Sequence, residues 1–185
     1  MKTEHRLAKA LKEMLAKAPL DSISVTALSD ACGVSRKTFY YHFHDIYDLL
    51  TLVFLDERID GITTTKTPED MLKKIYTYYE KNINFIDTTI NSAGRDLFQE
   101  FIYNNVYQSF IRMILLNQDA KRLTPNERKS IVRFYTAGVS SAIVFYLTNT
   151  KNKSLDGLKL SMLFLGEDFL SKSVNDLIQA KENKS

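Results

Sequence analysis

From Leu7 to Ile178 apolar residues return every third or fourth position, and little in the sequence interrupts them. Leu7, Leu11, Met14, Leu15 and Ala18 mark one face of a first helix over about 3–17, closed by Pro19. Ser24 caps a short helix to Cys32, Gly33 stops it, Ser35 caps a helix over 36–43, and Asp45 caps one over 46–59. Gly61 to Lys66 reads as a linker. Thr67-Pro68-Glu69-Asp70 then combines an N-cap, a proline at the first helical position and an acid at the third. It opens a run whose apolar face is Met71, Leu72, Ile75, Tyr78, Tyr79, Phe85 and Ile86, broken at Asn91-Ser92-Ala93-Gly94. A further helix spans 95–116, and Thr124-Pro125-Asn126-Glu127 repeats the capping signature ahead of a helix to about Asn149. Ser154 opens the last helix, to about Ala180, before a polar, frayed tail. With 6 Gly and 3 Pro in 185 residues, the chain lacks the turns of a sandwich or barrel, and no segment alternates as a strand does. The fold class is all-α, with about nine helices.

Composition removes several function classes. One cysteine leaves no disulfide framework and no cysteine-rich zinc site, and points to a reducing, cytoplasmic setting. The N-terminus is charged and amphipathic, not a signal peptide. The longest apolar tract, Phe134 to Leu147, is too short to span a bilayer, so a membrane partner is set aside. All three histidines precede residue 45. His42 and His44 diverge by about 200° on a helix and do not suggest a metal pair. The acidic pairs Asp56-Glu57 and Glu167-Asp168 also diverge, and no phosphate loop, nucleophile elbow or zinc-protease motif occurs. The reading is a non-enzyme without cofactor or metal. The net charge of +3 divides into +1 over residues 1–48 and +2 over the rest, so any nucleic-acid argument must rest on where charges sit.

The segment from Val25 to Phe43 is where they sit informatively. Two short helices flank Gly33-Val34-Ser35, and Leu28, Ala31, Val34, Phe39 and Phe43 can share a core with the first helix. This is a helix-turn-helix layout. Its second helix carries Arg36, Lys37, Thr38, Tyr40, Tyr41 and His42, all donors for phosphates or base edges, with no acid among them. Arg36, Lys37 and Thr38 lie at its N-terminal end, where side chains reach base edges. Tyr41 suits a base or sugar, and Tyr40, His42, Ser24 and Thr26 suit phosphates. Cys32 reads as a buried, inert thiol.

Ser24-Val25, Gly33-Val34-Ser35, Thr38-Phe39-Tyr40 and His42-Phe43 resemble, in order and spacing, the DNA-binding domain of the TetR family of bacterial transcription regulators. The resemblance covers about residues 5–50 and implies that Ser35 belongs to the DNA-binding set. It also implies dimers and a ligand cavity between the middle helices. Ile46 stands where the family usually has a phosphate-contacting lysine, which implies one backbone contact fewer. The string Tyr40 to Leu49 also resembles a subgroup that includes regulators of dihydroxyacetone kinase operons, and no function is drawn from it.

Two expectations concern the remainder. Its aromatic residues offer a pocket for an uncharged or weakly polar effector among Tyr78, Phe101 and Tyr107, although plain helical core accounts for most aromatic positions. Between Ile131 and Leu147 only Arg133 is charged and apolar residues occupy more than one face, so a partner helix is expected there. Ala137, Gly138, Ser141, Ala142 and Phe145 would meet a stripe of Leu158, Met162, Leu165 and Phe169 in a symmetric four-helix interface. The chain is therefore divided into a DNA-binding head, 1–46, and a ligand-binding and dimerisation domain, 47–185. The function expected is an effector-responsive repressor acting as a homodimer on double-stranded operator DNA. An activator working with a protein co-regulator, and a helical interaction module that binds no DNA, are the alternatives.

Overall fold

Side-chain caps punctuate the chain where the sequence places them. Ser24 accepts from the Ala27 amide and Ser35 from the Thr38 amide, both at 3.0 Å. Asp45 accepts from Asp48 at 2.8 Å and Thr67 from Asp70 at 3.1 Å. Thr124 and Glu127 form a reciprocal capping box with Pro125 in the first turn. Each cap satisfies an amide that has no carbonyl within its own helix. The computed structural model describes residues 2–163, 165–166 and 168–183. Among them it holds ten helices and no strand: α1 Thr3–Leu15, α2 Val25–Ala31, α3 Arg36–His42, α4 Ile46–Asp56, α5 Pro68–Lys81, α6 Ile83–Ile90, α7 Arg95–Leu116, α8 Pro125–Asn149, α9 Leu155–Ser161 and α10 Phe169–Glu182. The fold is all-α.

Two breaks divide runs that periodicity joins. Asn82 leaves helical geometry, at φ −124° and ψ 24°, and separates α5 from α6. The second break follows Ser161 and contains Gly166, a poor helix former, while Met162 and Leu165 within it remain buried. Glu167, of the acidic pair with Asp168, lies outside the described residues. The linker reading of 61–66 needs correction. Gly61 takes φ +69°, residues Ile62–Thr64 make a 3₁₀ turn, and Thr65 is completely buried. The tail is also better held than expected: Lys181 and Glu182 are helical and pair with Glu127 and Arg122.

The chain divides into two compact units, 1–58 with 79–101, and 59–78 with 102–185. The first contains α1 to α4 and α6, and its centre is aromatic: Phe54 lies 5.6 Å from both Phe85 and Phe101 and 6.1 Å from Phe98, ring centre to ring centre. Gly94 belongs to this core, because a β-carbon there would come within 2.7 Å of Leu50 Cδ2 and 2.9 Å of Thr89 Cγ2.

The second unit is built on α8. Val132, Thr136, Val139, Ser140, Ile143, Val144 and Leu147 are buried along one side of that helix. By length and composition alone the 25-residue helix that contains the Phe134–Leu147 tract could cross a bilayer; its buried row is what a core helix also shows. In the same unit Thr65 Oγ1 lies 2.8 Å from the Ile62 carbonyl oxygen and 2.5 Å from Ser109 Oγ, with both side chains fully buried. Thr65 donates to the carbonyl and accepts from Ser109, so both hydroxyl protons are satisfied. Removing either hydroxyl has unequal consequences. Ser109→Ala deletes one bond and should cost about 1 kcal/mol, whereas Thr65→Val strands the buried Ser109 hydroxyl, leaves the Ile62 carbonyl only its bond from the Thr65 amide, and should cost about 2–3 kcal/mol. Urea denaturation of the two variants measures the difference; equal losses would refute the pairing.

Candidate nucleic-acid interface

The turn between α2 and α3 is set by one glycine. Gly33 has φ +61°, the left-handed conformation that a residue with a β-carbon resists. This lets the Gly33 amide bond the Asp30 carbonyl and the Val34 amide bond the Ser29 carbonyl, each at 3.0 Å. The pair of bonds is a Schellman ending, which closes α2 and reverses the chain within two residues. Ser35 then caps α3, and its hydroxyl also lies 2.9 Å from that of Thr38.

Burial assigns the two sides of α3. Phe39 is fully buried and Phe43 is 8% exposed, with their rings 5.7 Å apart in the core that also contains Leu7, Leu11, Leu15 and Leu28. Helical geometry then turns Lys37, Tyr40 and Tyr41 away from that side, while Arg36 stands at the exposed first position of the helix. All four are exposed, Tyr40 at 51% and Tyr41 at 84%. The Tyr40 ring meets the buried Phe39 edge-on at 5.4 Å and the Tyr41 ring meets His42 at 4.9 Å, so each is held at its base and presents the rest of its ring to solvent. Ser24, Thr26 and Ser35 are also exposed, and Thr38 is half-buried. The face carries two cations and two phenols, with no carboxylate on α3.

Two core assignments differ: Ala31 is exposed and Val34 half-buried, whereas Cys32 is buried. Ala31 and Cys32 both lie about one turn beyond Leu28, and Cys32 is the one turned to α1, its thiol 3.7 Å from the Arg6 carbonyl oxygen. Burial pushes the Cys32 thiol up from its ordinary range, so it stays protonated and a poor nucleophile. Ser29 is buried with no partner for its hydroxyl among the described residues, so the position uses its small size. His42 differs more. Its side chain is only 20% exposed, and Nδ1 lies 3.2 Å from Glu4 Oε1 on α1. The two residues are 38 positions apart, and no local pattern joins them.

The chain's matches to known families agree with this geometry. A family model described as bacterial regulatory proteins, tetR family, matches residues 7–53. A second, a transcriptional regulator C-terminal region of the same family, matches residues 66–158. The chain belongs to the TetR family of bacterial transcription regulators. It is accordingly a DNA-binding transcription regulator, and its helix-turn-helix is α2 with α3. A solved structure described as a dihydroxyacetone kinase operon activator, DhaS, is similar in fold, with a TM-score of 0.56 over 96% of this chain and 95% of that one at 20% identity. No curated protein sequence matches the chain.

The residues expected at an effector site and a partner surface are placed unevenly. Phe101 is buried in the aromatic core of the first unit, 6.3 Å from Phe98. Tyr78, which is buried, and Tyr107, which stacks on Tyr103 at 6.5 Å, belong to the second unit. Each unit has a surface cleft lined by other residues. The first unit's cleft, about 470 Å³, lies among Lys9, Lys12, Lys81 and Phe85; the second unit's, about 330 Å³, lies among Leu72, Met162 and Leu165 beside the Lys159–Glu69 ion pair.

On α8, Ala137, Gly138, Ser141 and Phe145 are exposed, Phe145 at 65%, with Phe134 at 75% in the same row; Ala142 is half-buried. The matching stripe is corrected. Leu158, Met162, Leu165 and Phe169 are all buried within the protomer and unavailable to a partner. Periodicity finds an apolar stripe but does not say which neighbour covers it, and here it is the chain's own core. Phe169, for example, packs against Tyr135 and Phe110 at 4.6 and 5.2 Å. The exposed apolar residues near that stretch are Leu160 and Leu163.

The cap on α3 can be separated from contact with DNA. Ser35→Ala should lower stability by about 1 kcal/mol. Ser35→Asp, an equally good cap, should restore it while placing a carboxylate beside the exposed face, so DNA binding should weaken although unfolding in urea returns to the wild-type midpoint.

Proposed function

We propose that the protein is a sequence-specific repressor that binds operator DNA as a homodimer and is released by a small effector. The observation that carries the DNA-reading part is the outward face of α3, where Arg36, Lys37, Tyr40 and Tyr41 stand exposed over a buried Phe39. The guanidinium fork of Arg36 and the ammonium of Lys37 suit guanine O6 and N7, and the Thr38 methyl suits thymine. Tyr40, Tyr41, Ser24, Thr26 and Ser35 hold sugar and phosphate, and the exposed amides at the start of α2 add to them. His42 contributes less directly, since Glu4 already occupies it. In this division of labour residues 1–46 read DNA, and residues 47–185 bind effector and partner without catalysing a reaction, in the cytoplasm.

The exposed row of α8 supports the dimer. Phe134, Ala137, Gly138, Ser141 and Phe145 form an apolar, small-residue stripe on a helix whose opposite side is already buried. A solvent-facing stripe of two phenylalanines is costly for a lone protomer, and a second copy of α8 removes it from water. Leu160 and Leu163 replace Leu158 and Met162 as the apolar contribution from beyond α8. The effector, uncharged or weakly polar, acts by binding one spacing of the two heads better than the other. Activation is the alternative sign, and the name of the structurally similar operon activator is its support.

Selecting DNA from a random pool with the purified protein tests the reading. A near-palindrome with half-sites about one helical turn apart is expected. An unenriched pool, or binding without the steep salt dependence of phosphate contacts, would favour an interaction module that binds no DNA. Arg36→Ala should cost about 1–3 kcal/mol and relax preference at one base pair in each half-site. For the dimer, Gly138→Arg is decisive, because a β-carbon at Gly138 meets nothing within 4 Å. The arginine fits the protomer, where it is also the better helix former by about 1 kcal/mol, and obstructs only a partner. Sedimentation should find that variant folded and monomeric where the wild type is dimeric; a dimeric variant would place the interface elsewhere.

A further inference from the structure

Three consecutive side chains on the first turn of α1 reach three different helices. Glu4 Oε1 lies 3.2 Å from His42 Nδ1, at the C-terminal end of α3. His5 Nδ1 lies 2.7 Å from Asp56 Oδ2, the last residue of α4. Arg6 donates to the carbonyl of Cys32, the C-cap of α2, at 2.5 Å. On a helix three successive residues point in three directions, about 100° apart, so one turn can hold three neighbours at once. We propose that Glu4, His5 and Arg6 are positioning residues for DNA recognition: from the first turn of α1 they set the orientation of the helix-turn-helix, and Glu4 does so by holding His42 at the end of the reading helix.

The packing of α3 makes such a device useful. Its burial rests on Phe39 within the seven-residue helix and on Phe43, the C-cap that follows it. Two aromatic anchors in line leave rotation about that line weakly constrained. The Glu4–His42 contact lies off that line and opposes the rotation that would swing Arg36 and Lys37 away from a groove. The Arg6 bond acts on α2, where it neutralises the carbonyl end of the helix that precedes the Gly33 turn.

Of the three side chains only Glu4 gives an unambiguous test, because its charge has the wrong sign for DNA. If it were merely an acid near the interface, removing it would strengthen binding by relieving repulsion from phosphates. If it positions α3, removing it weakens binding. The inference rests on the reading of α3 as the DNA-contacting helix, so the probe is a duplex recovered from the wild type's own selection. Failure of the wild type to select or bind any duplex would count against that reading itself.

With wild-type binding in hand, Glu4→Ala should bind the duplex roughly threefold to tenfold more weakly, the effect of one modest polar contact in each of two heads. Circular dichroism should find it fully folded at the assay temperature. Glu4→Gln, which keeps the side chain's length and an oxygen beside His42 Nδ1, should recover to within about twofold of wild type. In a His42→Ala background, Glu4→Ala should have no further effect, since the partner is already gone. Tighter or unchanged binding by Glu4→Ala would overturn the proposal. So would a Glu4→Gln protein as weak as Glu4→Ala, or a full additional loss in the His42→Ala background. Should Glu4→Ala fail to fold, the Glu4→Gln and His42→Ala proteins carry the same comparison: the first near wild type, the second weakened by no less than the expected threefold.

Discussion

The complete burial of Phe39 is the constraint on which the DNA-reading head depends. A phenylalanine ring removed from water contributes several kcal/mol, more than any other single contact in a helix of seven residues. Once that ring is committed inward, helical geometry turns Lys37, Tyr40 and Tyr41 away from it, and Arg36, one turn earlier at the start of α3, is left exposed at the helix end. The caps at Ser24 and Ser35 and the left-handed Gly33 add smaller terms, each near 1 kcal/mol, but they decide where the helices start and stop, and so which residues share a face with Phe39.

The larger part of the chain follows different physics. There the long helix α8 buries one row of residues and leaves a second apolar row in solvent. The protomer is thus stable on one side of the helix and incomplete on the other. Capping is also more elaborate in this region, with the Thr124–Glu127 box at the start of α8 held further by Lys181, which keeps the Glu127 carboxyl below its ordinary range. A short buried hydroxyl pair, Thr65 with Ser109, turns a stretch that reads as linker into an ordered turn.

Local signals in the sequence were dependable wherever the cause is local. Caps at Ser24, Ser35, Asp45, Thr67 and Thr124 lie where the residue types place them, because a cap is a bond between residues three apart. The helix-turn-helix was legible for the same reason. Errors cluster where the deciding partner is remote. Ala31 and Cys32 are adjacent, and only the direction of a neighbouring helix tells which is buried. Asn82 and Gly166 interrupt runs whose apolar spacing alone is continuous.

What the sequence determined by itself is the all-helical class, the helix ends that a cap, proline or left-handed glycine marks, and the chemistry of the face that α3 presents. Periodicity, caps and one glycine suffice for these, since each acts over a single turn of chain. Tertiary structure alone decided which apolar stripes are covered. Leu158, Met162, Leu165 and Phe169 read as a partner surface but lie in the core, while Phe134 and Phe145 remain open. It also decided that His42 faces Glu4 across 38 residues. An amphipathic helix declares that it has an apolar side; what covers that side depends on chain far away in sequence, and the cost of leaving it exposed is the same whether a core residue or a second molecule relieves it.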